Sequence, residues 1–188
     1  LRLDLNEHPS ALSDAVGGDM FTTTAYPEYD ALLAALGAYA GQPPERIALT
    51  NGAEQAIDLL VRILFTAGDT VVMPSPVFFA WDYALAQTGA EVRHVAYRDA
   101  PPRFVFPTEE TLAALGKASG IILCHPNNPL GCAIPMDALR RLADAAQERN
   151  VPCIVDEAYV EFCGGSVAGL VASHDTLIAV RTFSKAFG

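Results

Sequence analysis

The sequence predicts an α/β fold in which a mainly parallel sheet carries helices on both faces. Short apolar segments alternate with segments of helical periodicity from about residue 30 onward, and this order is typical of parallel sheets. The apolar segments lack strict polar–apolar alternation, which indicates strands that are buried on both faces. Hydrophobic residues make up 51% of the 188 residues and charged residues 18%, so the chain can bury a core and intrinsic disorder is excluded.

The first half of the chain predicts an arm that is followed by alternating helices and strands. Residues 1–30 show no clear periodicity and are interpreted as an N-terminal arm, whereas residues 31–188 are expected to form one large domain. Within that domain, Ile57, Val61 and Leu64 recur at the spacing of one helix face. The predicted elements are, in order, a helix at 31–40, a short apolar strand at 47–50, a helix at 53–66 and a strand at 70–73 that prolines close.

The second half continues the alternation, and prolines mark several of the boundaries. Pro107 precedes one helical segment and Pro135 opens another, because proline is well tolerated in the first turn of a helix. Residues 120–124 are an uninterrupted apolar run, which predicts a buried strand. The predicted elements are, in order, a helix at 78–87, a strand at 91–95, a helix at 108–117, a strand at 120–124, a helix from 135, and strands at 151–155 and 176–180.

Charge and cysteine content exclude several classes of function. Twelve basic and 22 acidic residues give a net charge of −10, which argues against nucleic acid as the main partner. The longest apolar runs, such as residues 59–65, are too short to span a membrane. The four cysteines show no Cys-x-x-Cys spacing, so we expect reduced thiols in a cytoplasmic protein and no metal site.

Unusual polar clusters directly follow the predicted strands. In open α/β sheets, ligands bind beyond the carboxyl ends of the strands. Because these ends share one edge in a parallel sheet, five such clusters favour a single ligand site over unrelated loops. The clusters occupy residues 51–54, 74–79, 125–131, 156–159 and 182–185.

Taken one at a time, these residues allow both a structural and a functional interpretation. Asn51 and Gly52 form a common turn sequence, yet they open an amphipathic helix whose N-terminus suits an anion. Asp156 follows an apolar run, where it either caps a helix or carries a partly buried charge that needs a cationic partner. Lys185 is either a surface lysine or a functional one; the chain has only one other lysine, Lys117.

Together and in this order, the clusters resemble the fold-type I enzymes that depend on pyridoxal phosphate (PLP). The similarity is greatest to the class I/II aminotransferases, and among them to histidinol-phosphate aminotransferases. It extends over essentially the whole chain from residue 26. The motifs that carry it are Tyr26-Pro27, Asn51-Gly52-Ala53-Glu54, Asn127-Asn128-Pro129-Leu130-Gly131, Asp156-Glu157-Ala158-Tyr159 and Arg181-Thr182-Phe183-Ser184-Lys185.

The resemblance implies roles for these residues around the cofactor. Lys185 would hold the cofactor covalently and then serve as general base and acid. Asp156 would face the pyridine nitrogen and keep the ring protonated, while Asn128 and Tyr159 would hydrogen-bond the phenolic oxygen. The remaining implied contacts are Phe78 on the ring face, with Phe79 as the alternative, and Gly52, Ala53, Glu54, Thr182, Ser184 and a neighbouring subunit's Tyr26 around the phosphate.

The resemblance also implies a reaction and an assembly. We expect a cytoplasmic homodimer that transfers an amino group between an amino acid, or an amino phosphate like histidinol phosphate, and a 2-oxo acid such as 2-oxoglutarate. A decarboxylase of the threonine-phosphate type would share the cofactor residues, so it stays open as an alternative. A non-catalytic fragment with the PLP fold is the other alternative. No nucleic-acid or membrane partner is expected.

Three features depart from the family pattern, and the first is an N-terminal arm that is shorter and less typical than the family's. Leu130 stands where the family has threonine in its Asn-Pro-Thr-Gly motif, although Asn128 is the residue with the implied cofactor role. The chain stops at Gly188, three residues after the active-site lysine and before the family's small C-terminal domain. We therefore expect these 188 residues to be an incomplete large domain and part of a longer polypeptide.

Overall fold

The computed structural model describes residues 28–188, which form two compact units. The smaller unit contains residues 28–49 together with Phe183–Gly188. The larger unit contains Thr50–Thr182 and the whole of the main sheet. None of the described helices is long and apolar enough to cross a membrane.

The larger unit is built on a five-stranded parallel sheet with the strand order β2-β1-β5-β6-β7. This arrangement confirms the predicted mainly parallel α/β fold. The strands are β1 (Thr70–Ser75), β2 (Glu91–Ala96), β3 (Arg98–Ala100), β4 (Arg103–Val105), β5 (Gly120–Cys124), β6 (Cys153–Asp156) and β7 (Leu177–Val180). The helices are α1 (Asp30–Ala40), α2 (Gly52–Leu64), α3 (Phe79–Thr88), α4 (Thr108–Leu115) and α5 (Met136–Glu148).

Helices cover both faces of the sheet. Neighbouring residues of a strand point to opposite faces, so each strand contributes apolar side chains to both layers of helices. On β5, Ile121 and Leu123 pack into an apolar cluster with residues of α4 and α5. Ile122, between them, packs into a second cluster with α2 and α3. All three side chains are fully buried, which explains why the strands are continuous apolar runs without a polar face.

One local prediction from the sequence is wrong, and one element was missed. Residues 47–50 form no strand, because a strand needs a hydrogen-bonded neighbour and no described strand pairs with them. The antiparallel hairpin of β3 and β4 was not predicted. Its residues are exposed, and the two prolines of its turn give no hairpin signal of the usual Asn-Gly type.

A hydrogen bond between a histidine and a carboxylate ties the loop before β7 to helix α5. His174 Nε2 lies 2.8 Å from Asp144 Oδ1, whereas Nδ1 lies 3.0 Å from both the carbonyl oxygen of Leu170 and the hydroxyl oxygen of Ser173. The carboxylate of Asp144 favours the positively charged imidazole. The bond to Asp144 accordingly raises the pKa of His174 above its ordinary value.

We expect Asp144→Asn to destabilise the protein below about pH 6.5, the ordinary pKa of histidine, and to have little effect at alkaline pH. A histidine whose pKa is raised by folding adds stability at low pH, and loses that contribution as the pH rises through the folded-state value. Because the Asp144 side chain is 54% exposed, the loss is limited to about 1 kcal/mol. Urea denaturation of the wild type and the variant between pH 5 and about pH 9 measures it.

Glu148→Gln is the matched control, since it removes a carboxylate from the same helix α5. Its effect on the free energy of unfolding is expected to lack this pH dependence. A constant difference between wild type and Asp144→Asn across the pH range would show that His174 is not charged in the folded protein.

Candidate active site

Three of the five polar clusters predicted from the sequence, those at 74–79, 125–131 and 156–159, lie at the carboxyl edge of the sheet in the larger unit. Residues 51–54 follow no described strand, and residues 183–185 belong to the smaller unit. The strands β1, β5, β6 and β7 run parallel, so the residues that follow them share that edge. Two long-range hydrogen bonds connect the clusters directly. Trp81 Nε1 donates to Asp156 Oδ2 over 2.8 Å, and Asn127 Nδ2 donates to the carbonyl oxygen of Pro76 over 2.9 Å.

Asp156 is the last residue of β6 and is 3% exposed. Its Oδ1 accepts the backbone N–H of Ala158 over 3.0 Å, while Oδ2 accepts the indole N–H of Trp81. Burial raises the pKa of Asp156, and these two hydrogen bonds oppose the rise. Within residues 50–182 no basic side chain pairs with this carboxylate, so an ionised Asp156 has no cationic partner among these residues.

Asn127 and Asn128 occupy the loop after β5. The buried amide of Asn127 organises this loop, because its Oδ1 accepts the N–H of Leu130 over 2.9 Å while its Nδ2 reaches Pro76. Asn128, the residue singled out from the sequence, is half-buried and its backbone N–H points to Cys124 Sγ. Asn127 therefore fixes the backbone that presents Asn128. Sequence reasoning assigned no separate role to Asn127, because its partner Pro76 lies 51 residues away.

A buried ion pair joins the ends of β6 and β7. Glu157 is fully buried, and its Oε2 accepts from Arg181 Nε over 2.9 Å and from Ser166 Oγ over 2.8 Å. Its Oε1 accepts the backbone N–H of Val167 over 2.6 Å, and the Arg181 guanidinium also donates to Ser166. Sequence reasoning missed this network because its members are 9 to 24 residues apart and no local pattern links them.

The N-terminus of α2 has the properties of an anion site. The first N–H groups of a helix have no partner within the helix, and the side chain of Asn51 makes no capping hydrogen bond. Gly52 starts the helix with φ +73°, and a Cβ at that position would have no heavy atom within 4 Å. Ala53 and Glu54 follow in the first turn, where N–H groups and the helix dipole favour a negative group.

The other residues predicted for the larger unit also flank this edge. Phe78 immediately precedes α3 and is half-buried, and its ring lies 4.9 Å from the ring of Phe79, which is 72% exposed. Tyr159 is half-buried and lies three residues after Asp156, the last residue of β6. Thr182 is half-buried and lies two residues beyond β7.

Ser184 and Lys185 belong to the smaller unit, in a turn closed by the hydrogen bond from Phe187 N to Phe183 O over 3.1 Å. The rings of Phe183 and Phe187 lie 5.1 Å apart, and the ring of Tyr39, from α1, lies 5.7 Å and 6.1 Å from them. These three rings thus hold the lysine-bearing turn against α1. Tyr26 lies outside the described residues.

Comparison with known proteins decides the family. The family described as aminotransferase class I and II matches residues 5–188, which is nearly the entire chain. The chain belongs to this family. The prediction from the motifs is thereby confirmed, and membership supports PLP as the cofactor and a PLP-dependent aminotransferase as the class of enzyme.

Individual relatives agree with this assignment. A histidinol-phosphate aminotransferase of Methanococcoides burtonii is 35% identical over 196 residues, covering 100% of this chain and 53% of the relative. The crystal structure of histidinol-phosphate aminotransferase from Sinorhizobium meliloti in complex with pyridoxal-5'-phosphate has a TM-score of 0.73 at 31% identity, covering 87% of this chain and 45% of that chain. The chain spans about half the length of the curated relatives it matches.

A structure with a different reaction shares the fold. L-threonine-O-3-phosphate decarboxylase from Porphyromonas gingivalis has a TM-score of 0.69 at 24% identity and covers 87% of this chain and 50% of that chain. At this level of identity the likeness concerns the fold alone. The fold therefore does not separate aminotransferase from decarboxylase.

The described residues fit the cofactor of this aminotransferase family. A protonated pyridine nitrogen would supply the cationic partner that the buried carboxylate of Asp156 lacks within residues 50–182. The uncapped start of α2 offers N–H donors for a phosphate. The substitution at Leu130 is compatible with this fit, because its side chain is partly buried against the core on the side of α4 and α5.

We expect Gly52→Ala to lower the free energy of unfolding by about 1–2 kcal/mol, because an L-residue pays for the left-handed backbone conformation at φ +73°. The loss comes from the backbone alone, since the added methyl group would meet no atom within 4 Å. Guanidinium denaturation followed by circular dichroism measures it.

Gly169→Ala is the matched control for this substitution. A Cβ at Gly169 likewise meets nothing within 4 Å, but the backbone there is not left-handed. Its effect is expected to stay within about 0.5 kcal/mol. Equal losses in the two variants would rule out the backbone conformation as the cause.

Proposed function

We propose that the protein is a PLP-dependent aminotransferase that moves an amino group between an amino phosphate resembling histidinol phosphate and a 2-oxo acid such as 2-oxoglutarate. The observation that carries the proposal is the buried Asp156 carboxylate, which has hydrogen-bond donors on both oxygens and no basic side chain paired with it within residues 50–182. The substrate class is supported by the histidinol-phosphate aminotransferases among the relatives.

When bound, PLP supplies an electron sink for the negative charge that develops at the substrate's Cα. In this proposal Asp156 accepts a hydrogen bond from the pyridine N–H and keeps that proton on the ring. Asn128 and Tyr159 donate to the phenolic oxygen. Phe78 covers the ring face; its half-buried position favours it over the largely exposed Phe79.

The phosphate is proposed to bind beside Gly52 to the N–H groups of Ala53 and Glu54, with help from the hydroxyl groups of Thr182 and Ser184. The N–H of Gly52 itself donates to the carbonyl oxygen of Thr50 over 2.9 Å. This assignment is supported by the helix dipole and by the absence of a side-chain cap on α2. Tyr26 of a second subunit is proposed to reach the same phosphate.

Lys185 is proposed to hold the cofactor through its amine and to move the proton at the substrate's Cα. Chain connectivity supports this role, since Lys185 follows Thr182 by three residues. Three residues limit the distance between their Cα atoms to about 11 Å. Together with the Ser184-Lys185 motif shared with the family, this supports Lys185 as the residue that holds the cofactor.

Lys185→Ala tests this proposal. The purified protein incubated with PLP is expected to show a visible absorbance band. Borohydride is expected to remove this band and leave the cofactor covalently attached, whereas the variant is expected to show neither the band nor the covalent label. Lys117→Ala is the control, because Lys117 is the only other lysine of the chain. If the label stays in Lys185→Ala, or moves to Lys117, the assignment of Lys185 is wrong.

The reaction is tested on the same protein. We expect 2-oxoglutarate-dependent loss of histidinol phosphate without release of CO2. Release of CO2 from threonine phosphate would instead support the decarboxylase, and binding of PLP with turnover of neither substrate would support a non-catalytic role.

We also propose that the protein is a cytoplasmic homodimer. Apolar side chains one turn apart are exposed on α2, at Leu59 and Ile63, and on α3, at Phe79 and Tyr83, which supports burial of this surface by a second copy. The four cysteines are free thiols, as is usual in a reducing compartment. Light scattering is expected to give twice the chain mass of 20.0 kDa; a monomer at micromolar concentration would exclude the dimer.

A further inference from the structure

The side chain of Trp81 is the most constrained neighbour of Asp156. It is 0% exposed, lies in the first turn of α3, and packs in the apolar cluster that also contains Met73 and Leu85. A buried indole N–H needs an acceptor, and here the acceptor is Asp156 Oδ2 at 2.8 Å. The two residues are 75 positions apart, so only the folded sheet brings them together.

The bond to Trp81 restricts what the carboxylate of Asp156 can do. Within residues 50–182, Oδ2 accepts from Trp81 and Oδ1 accepts from the backbone of Ala158, and these two bonds fix the rotation of the group. An ionised carboxylate has about four acceptor positions, so acceptor capacity remains after both bonds are made. The indole nitrogen has a proton to donate and no lone pair to accept one, so it interacts best with the ionised carboxylate.

The charges around Asp156 show why such a donor matters. Burial is the main cause that raises the pKa of Asp156, and the negative charge of Glu157 raises it further. The hydrogen bonds from Trp81 and Ala158 lower it. The positive charge of Arg181 is paired with Glu157, the residue that follows Asp156 in the sequence. Cys124, on the adjacent strand β5, has a pKa raised to about 12 and is therefore an uncharged thiol at neutral pH.

We propose that Trp81 is a positioning residue for the cofactor site: its indole N–H fixes the rotation of the Asp156 carboxylate and favours its ionised form, so that the carboxylate is ready for a protonated pyridine nitrogen. The part that concerns the cofactor rests on the function proposed above. The part that concerns Asp156 itself holds for the protein without cofactor and is testable there.

The first test uses the cofactor-free protein. Trp81→Phe keeps an aromatic ring in the core and removes the N–H donor, so the pKa of Asp156, followed by carboxyl ¹³C NMR, is expected to rise above the wild-type value. Leu85→Val is the matched control, because Leu85 is a fully buried residue of the same helix. An unchanged Asp156 pKa in Trp81→Phe, or an equal rise in Leu85→Val, overturns the proposal.

A second measurement needs no destabilising variant. Trp81 is the only tryptophan of the chain, so the protein has a single indole N–H resonance. That resonance is expected to exchange slowly with solvent and to shift as Asp156 titrates, with the inflection absent in Asp156→Asn. Rapid exchange, or a shift with pH that persists in Asp156→Asn, overturns the proposal.

The third test measures PLP binding. Losing a hydrogen bond to a charged group typically costs ten- to a hundredfold in affinity, so we expect Trp81→Phe to weaken PLP binding by about tenfold or more, whereas Leu85→Val stays near wild type. Wild-type affinity in Trp81→Phe overturns the cofactor part. If the wild type itself does not bind PLP, the proposed function fails, while the pKa and resonance measurements still decide the role of Trp81 toward Asp156.

Discussion

The buried carboxylate of Asp156 is the constraint around which the larger unit is organised. A carboxylate that is 3% exposed costs several kcal/mol unless its charge is compensated. Here the compensation within residues 50–182 consists of two hydrogen bonds and no basic side chain. The apolar strands on either side of β6 make this cost unavoidable, because they exclude the water that would otherwise solvate the group. Such an arrangement is poor for stability and suitable for a cationic ligand.

The neighbouring residue shows the opposite solution to the same problem. Glu157 is at least as buried as Asp156, but Arg181, Ser166 and the backbone of Val167 satisfy both of its oxygens. Its charge is neutralised inside the protein by Arg181, so Glu157 needs no cationic ligand and joins the ends of β6 and β7. Two adjacent acidic residues therefore differ in role because of what faces them, and the sequence contains no signal of that difference.

The parts of the fold that the sequence predicted are those that depend on local pattern. The uninterrupted apolar run of β5 and the helical spacing of Ile57 and Val61 correspond to a central strand and to the buried face of α2. The carboxyl-edge location of Asp156 and Asn128 follows from chain order alone once the strands are parallel. The predicted strand at 47–50 is absent because a strand needs a neighbouring strand for hydrogen bonding, and a local sequence pattern does not show whether one is present.

The contacts that sequence reasoning missed are those that join distant segments. Trp81 and Asp156 are 75 residues apart, and Asn127 and Pro76 are 51 apart. In a single sequence, Trp81 has the same appearance as any apolar residue of an amphipathic helix, and only its polar N–H hints at an acceptor nearby. Its acceptor becomes identifiable when the sheet order places β6 next to β5 and β5 next to β1.

The same reasoning extends to the segment that carries Lys185. Arg181 is anchored by Glu157 and Ser166 at the end of β7, so the backbone leaves the sheet from a fixed point. Four residues later, the lysine lies in a turn that is held against α1 by Phe183, Phe187 and Tyr39. Within the larger unit the ion pair restrains the end of β7, and within the smaller unit aromatic packing restrains the turn that carries Lys185. In the proposed function Lys185 holds the cofactor and moves a proton, which needs a backbone that stays in place while the side chain moves.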